Sequence, residues 1–199
     1  MFAELQEVTA TASINEAPTG EEDLFTPVAQ AARLRALWLA INLLTAFLAS
    51  WVIGLFEATL QQVVALAILM PVVASMGGIA GSQTLAVSLR GITLNHLNEA
   101  NIRLVLKKES RIALINGLVL GICIAAVVSV WFESVLLGGV ILSAVAVNSL
   151  AAAVSGTVIP FVLKKMNIDP AISAAVVLTT VTDVVGFFVF LFVASLVLV

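Results

Sequence analysis

The sequence predicts an all-α integral membrane protein with five spanning helices, and three observations predict it. Hydrophobic residues make up 61% of the 199 and charged residues only 11%, where a soluble domain carries about a quarter charged. Mean hydropathy is +1.17. Nearly charge-free runs long enough to cross a hydrocarbon slab of about 30 Å recur five times along the chain. With five crossings, all nine Lys and Arg fall on one side.

Residues 1–23 are polar and acidic, carrying Glu4, Glu7, Glu16, Glu21, Glu22 and Asp23 with no apolar signal core. They read as a flexible linker, and the first span is expected to act as its own insertion signal. Residues 24–35 read as an amphipathic cytoplasmic helix lying at the membrane surface. Thr26 is placed to cap it and Pro27 to occupy its first position, with Val28, Ala31, Leu34 and Leu37 at helical spacing and Gln30, Arg33 and Arg35 elsewhere. The membrane domain is then 36–199.

The spans fall at 36–56, 58–89, 112–132, 134–163 and 171–199. Trp38 and Trp51 sit near the two ends of the first, as interfacial aromatics do. The second is longer than a straight crossing needs, so it is expected to bend at Pro71 and to unwind locally around Gly77, Gly78 and Gly81. The joint 91–110 is expected to hold a short helix over 98–108 with Glu99 and Arg103 paired four apart.

The bases test this topology. Arg33 and Arg35 precede the first span, Arg90, Arg103, Lys107, Lys108 and Arg111 cluster between the second and third, and Lys164 and Lys165 follow the fourth. The positive-inside rule then gives a cytoplasmic N-terminus and an extracytoplasmic C-terminus. Lys107 and Lys108 read as lipid-headgroup contacts, not a nucleic-acid patch. His96 reads as a solvated side chain, and Cys123 as an inert buried thiol. No nucleophile with a base, metal triad or nucleotide loop is present, which speaks against an enzyme.

One residue contradicts its surroundings. Asp183 lies in the last apolar run, and a rise of about 1.5 Å per residue from Pro170 puts it roughly 20 Å in, near the middle of the slab. A charge there costs on the order of 3 kcal/mol on insertion scales. The plainer reading is a protonated Asp bonded to a neighbouring helix; the functional one is an ion or substrate path. Ala175, Thr179 and Asp183 lie four apart on one face, continued by Gly186 and Phe187. That face offers oxygen without His or Cys, which suits Mg²⁺ or Ca²⁺. Asp169 is placed to cap the helix before Pro170. In the second span, residues 70–83 combine a proline, three glycines and the polar pair Ser82 and Gln83, read either as a tight helix crossing or as a break freeing carbonyls for a cation and its water.

Pro71 through Gln83, the Asp169-Pro170 start and Thr179-Thr180-Val181-Thr182-Asp183-Val184-Val185-Gly186-Phe187 together resemble the membrane domain of the MgtE family of Mg²⁺ channels, in matching order over about 25–199. The resemblance implies a homodimer in the cell (inner) membrane, with the pore on the two-fold axis lined by the second and fifth spans. It implies hydrated Mg²⁺ as the transported and pore-bound ion, with Asp183 as the pore carboxylate. Pro71, Gly77, Gly78, Gly81, Gln83, Ala175, Thr179 and Gly186 are the expected pore-lining set. Helix 24–35 corresponds to the family's connector to its gating domains. Ile79 stands where the family usually has Asn. The family's cytoplasmic N-terminal and CBS regulatory domains have no counterpart in this sequence, so weakened inhibition by cytoplasmic Mg²⁺ is expected. The alternative reading is a proton- or sodium-coupled secondary transporter with Asp183 as its coupling site.

Overall fold

The computed structural model describes residues 27–199, which are helical throughout apart from short joints. The helices are α1 (Val28–Gly54), α2 (Glu57–Gln62), α3 (Val64–Thr93), α4 (Ile102–Trp131), α5 (Val135–Lys165) and α6 (Pro170–Val197). All but α2 are long and apolar enough to cross a membrane.

Three boundaries differ from the sequence reading. Residues 28–35 belong to one uninterrupted helix with the first span, so no separate surface helix is seen among the described residues, and the expected cap Thr26 lies outside them. The second span breaks not at Pro71 but at Val63, whose φ of −126 and ψ of 80 separate the short α2 from α3. From Val64 the helix runs unbroken through Pro71, Gly77, Gly78 and Gly81. The reason is the solvent: an opened turn in hydrocarbon leaves N–H and C=O groups unsatisfied at several kcal/mol each, whereas Pro71 removes only one donor. The expected helix at 98–108 is instead the first part of α4, which starts at Ile102 and continues across the membrane.

Helix ends follow local rules closely. Asn95, Glu133 and Asn167 each take positive φ just past α3, α4 and α5, the left-handed step that closes a helix C-terminus. In each case the following N–H returns to a carbonyl of the last turn: His96 to Gly91, Ser134 to Ser129 and Ile168 to Leu163. Ser134 then caps α5 by accepting from the Leu137 N–H at 3.3 Å. Asp169 caps α6, its carboxylate accepting from Ala171 N–H at 2.9 Å, as the Asp-Pro start predicts.

Around the basic end, Lys165 pairs with Glu99, and Arg103 is not Glu99's partner. The hydrogen bond from Lys165, and then its charge, holds the Glu99 carboxyl below its ordinary value. The pair is therefore formed at neutral pH and is lost only as pH falls through that lowered value. Lys164 donates to the Ile92 carbonyl at 3.4 Å, tying the ends of α5 and α3 together.

Helix α5 is the centre of the bundle. It packs against α3, α4 and α6, while α1 rests on α6. Two apolar clusters lie at different depths. One joins Leu66, Leu69 and Val73 of α3 to Val140, Ile141 and Val145 of α5 and Phe190 and Leu191 of α6; the other gathers Leu85, Ala174 and Leu178 nearer the basic end. On α4 the buried residues Glu109, Ala113, Gly117 and Gly121 recur every fourth position and face α5. Cys123, expected to be buried, is exposed on the outer side of α4.

Glycine sets the helix separations. A Cβ on Gly138 would lie 2.1 Å from Ser129 Oγ and 2.8 Å from the Ala125 carbonyl, while one on the adjacent Gly139 would meet nothing within 4 Å. Overpacking costs about 1–3 kcal/mol, and Gly to Ala in an open helix position gains up to about 1 kcal/mol. Gly138→Ala is therefore expected to lower the thermal unfolding midpoint in detergent, and Gly139→Ala to hold or raise it.

Candidate functional site

Asp183 stands midway along α6, flanked by apolar residues and by the buried Thr182. Its carboxylate is half-buried and makes no hydrogen bond or ion pair among the described residues. No group of three His, Cys, Asp or Glu side chains gathers there, or elsewhere among the described residues. The bond from Asp183 to a neighbouring helix that the plainer reading requires is not seen among the described residues.

Side-chain hydroxyls nearby are turned onto their own helix. Thr179 donates to the carbonyls of Ala175 at 3.1 Å and Val176 at 3.0 Å, and Thr182 donates to Thr179 at 3.0 Å and Leu178 at 3.2 Å. Each hydroxyl therefore keeps only acceptor lone pairs for anything approaching from outside. Ala175 is exposed and Thr179 half-buried, so the face that carries Asp183 opens toward the basic end.

Helix α3 runs antiparallel beside α6. A Cβ on Gly186 would lie 3.3 Å from Val73, and one on Gly81 would lie 2.9 Å from Leu178. These two contacts set one register, which brings Asp183 level with Met76 and Gly77. Between them and α5, a single side chain closes the gap: Asn148, fully buried, whose Nδ2 donates to the Val73 carbonyl at 3.2 Å.

The expected pore-lining residues separate into two sets. Gly77, Gly81 and Gly186 are buried inside the chain, where a Cβ would strike Asn148 at 2.1 Å, Leu178 at 2.9 Å and Asn148 at 2.5 Å. Their lack of a side chain lets α3, α5 and α6 approach one another. Pro71, Gln83 and Ala175 are exposed, Gly78 and Thr179 partly so, and Ile79 is 59% exposed. Ser82 donates to Gly78 O at 2.8 Å, repeating the pattern at Thr179.

Two polar features were not singled out from sequence. One is Asn148. The other is a cleft of about 100 Å³ among α3, α4 and α5, where Gln83, already noted from sequence, meets Thr84, Asn116 and Ser149 between Ile79 and Ile112. Both had the same signal, an amide in a run without charge. Neither carries a charge, so each weighs less against hydrocarbon than Asp183 does.

A bundle of five helices, each long and apolar enough to cross a membrane, defines a polytopic membrane protein. Residues 70–193 match the model of the MgtE family, described as a divalent cation transporter. The chain is 34% identical over 180 residues to the magnesium transporter MgtE of Bacillus subtilis, covering 90% of this chain and 40% of that one. It is 32% identical over 164 residues to the magnesium transporter MgtE of Thermus thermophilus, covering 82% and 36%. A third relative, the magnesium transporter MgtE of Enterococcus faecalis, is 28% identical over 167 residues. This chain belongs to the MgtE family, and it spans 36–40% of the length of these curated relatives.

The open face carrying Asp183 makes a labelling prediction. In a Cys123→Ala background, Asp183→Cys is expected to react with a charged, water-soluble thiol reagent in vesicles. Cys123 itself, outward-facing among apolar residues, is expected to react only with a lipid-soluble maleimide. Labelling of the 183 position no faster than Cys123 counts against water reaching the carboxylate.

Proposed function

We propose that this chain is the membrane-spanning pathway of a Mg²⁺ transporter of the channel type, working as a homodimer in the cell (inner) membrane. The ion site is Asp183, and the pore lies on the two-fold axis. Its walls are the open faces of α3 and α6, with Pro71, Gly78, Gln83, Ala175 and Thr179 near the lumen and Gly77, Gly81 and Gly186 holding those walls together from behind. The N-terminus is cytoplasmic and the C-terminus extracytoplasmic. The observation that carries this reading is the half-buried Asp183 carboxylate with no partner among the described residues.

Electrostatics explain why a second copy and a dication go together. Two carboxylates about 8 Å apart repel by roughly 2 kcal/mol at an effective dielectric near 20. A dication midway stands at half the distance with twice the charge, so each of its attractions is about four times that repulsion. Mg²⁺ sheds water reluctantly, so the carboxylates hold its hydration shell instead of replacing it. Release is then fast enough for conduction, which a tight cage would prevent.

Support for Mg²⁺ over other cargo comes from the family match and from relatives named as magnesium transporters. The membership also favours this reading over a proton- or sodium-coupled exchanger. In reconstituted vesicles, Asp183→Asn is expected to leave the dimer folded and to abolish Mg²⁺ uptake. Uptake unchanged in that variant removes the site, and uptake that requires a proton or sodium gradient replaces the channel with the exchanger.

A further inference from the structure

Asn148 does something no other buried polar side chain in this bundle does. The hydroxyls of Ser155, Thr157, Ser173 and Thr182 return to carbonyls of their own helices. The Asn148 amide instead leaves α5 and bonds to α3, at the Val73 carbonyl 75 positions away in sequence. Among the described residues it is the side-chain hydrogen bond that joins two spans away from the bundle ends. The same amide nitrogen lies where a Cβ on Gly77 or on Gly186 would come within 2.1 or 2.5 Å of it. One side chain from α5 is therefore keyed into a notch on α3 and into another on α6, the helix that carries Asp183.

The fit carries a cost that a mere filler would not. Asn148 is fully buried and its Oδ1 has no hydrogen-bond partner. A leucine has the same branching at Cγ and leaves no orphaned carbonyl in hydrocarbon. Packing alone would thus be served better by an apolar residue, so the amide answers to a different need.

Geometry says what that need is. Gly186 follows Asp183 by three residues, or about 60° short of a full turn at 100° per residue, so pinning α6 at Gly186 fixes the direction in which Asp183 projects. The anchor on α3, Val73, sits two residues past Pro71, whose missing donor leaves the Ala67 carbonyl one turn back without its helical bond.

We infer that Asn148 is a positioning residue for the ion site: its amide locks α3 against α6 so that the Asp183 carboxylate is held toward the ion path. This rests on the reading of Asp183 as the site of a transported dication. The decisive variant is Asn148→Leu, which keeps the branched shape at a somewhat larger volume and loses the hydrogen bond, read in reconstituted vesicles by the Mg²⁺ dependence of uptake per folded dimer. Its thermal midpoint is expected to equal or exceed that of the unaltered protein. Its half-saturating Mg²⁺ concentration is expected to rise by about tenfold, the scale seen when groups that orient a metal ligand are lost. A purely structural residue would move these two quantities together, or move only the amount of folded protein. Should the leucine variant not fold, Asn148→Ala, which leaves space instead of filling it, is read the same way. Half-saturation within about twofold of the unaltered protein overturns the inference while leaving Asp183 as the site. Absence of uptake by the unaltered protein overturns the transport reading and this inference together.

Discussion

Close approach of backbones is the constraint on which this bundle depends. In lipid, apolar side chains gain nothing by leaving their surroundings for one another, so helix association rests on packing at short range and on a few interhelical bonds. The contacts of α5 show how this is met. Gly156 brings α5 to 3.0 Å of the Gly81 carbonyl, measured from the position its Cβ would take, and Gly117 faces Ser149 at the same distance. Any side chain at these points would have to displace main chain or a neighbour already held by main chain. The helices therefore have few ways to slide, and the side chains that project between them inherit that precision.

Polarity is distributed unevenly along the membrane normal. The larger apolar cluster fills the part of the bundle remote from the basic residues, around Leu66, Val140, Ile141 and Phe190. Apart from Thr59, the buried polar residues Thr84, Ser88, Glu109, Asn148, Ser149, Ser155, Thr157, Ser173 and Thr182 all lie at its edge or on the basic side. Asp183 is at the transition. A carboxylate there stands where the wholly apolar core gives way to buried hydroxyls and amides.

Much of this was legible in the sequence because hydrocarbon permits so few backbone solutions. Five spans, the one-sided bases and the Asp169 cap follow from composition and from rules that act within a few residues. The break at Val63 did not, because neither Gly nor Pro marks it, whereas Pro71 invited a break that the lack of water forbids. The central place of α5 was hidden for a related reason: a helix whose exposed residues, such as Val147 and Val154, are as apolar as its buried ones has no polar face to mark which side is packed. Asp183 announced itself through charge. Asn148 carries none, and what makes it consequential is the pair of glycines that meet it, Gly77 and Gly186, which are 71 and 38 residues away in sequence by difference from position 148. Such a triad exists only once three helices are packed.

The same hydroxyl chemistry that stabilises these helices also suits the proposed cargo. Ser82 and Thr179 each give their proton to a carbonyl of their own helix, at 2.8 Å to Gly78 and 3.1 Å to Ala175. What remains toward the open face is oxygen lone pairs. A hydrated cation presents the reverse, since water bound through oxygen points its hydrogens outward, so acceptor-only walls match it and a neutral or anionic solute gains less. Ile79 lies exposed in the same stretch of α3 and contributes no such acceptor. The proposed wall would therefore offer a sparse set of weak contacts around one charge, and a sparse set is what allows an ion held through its water to move on.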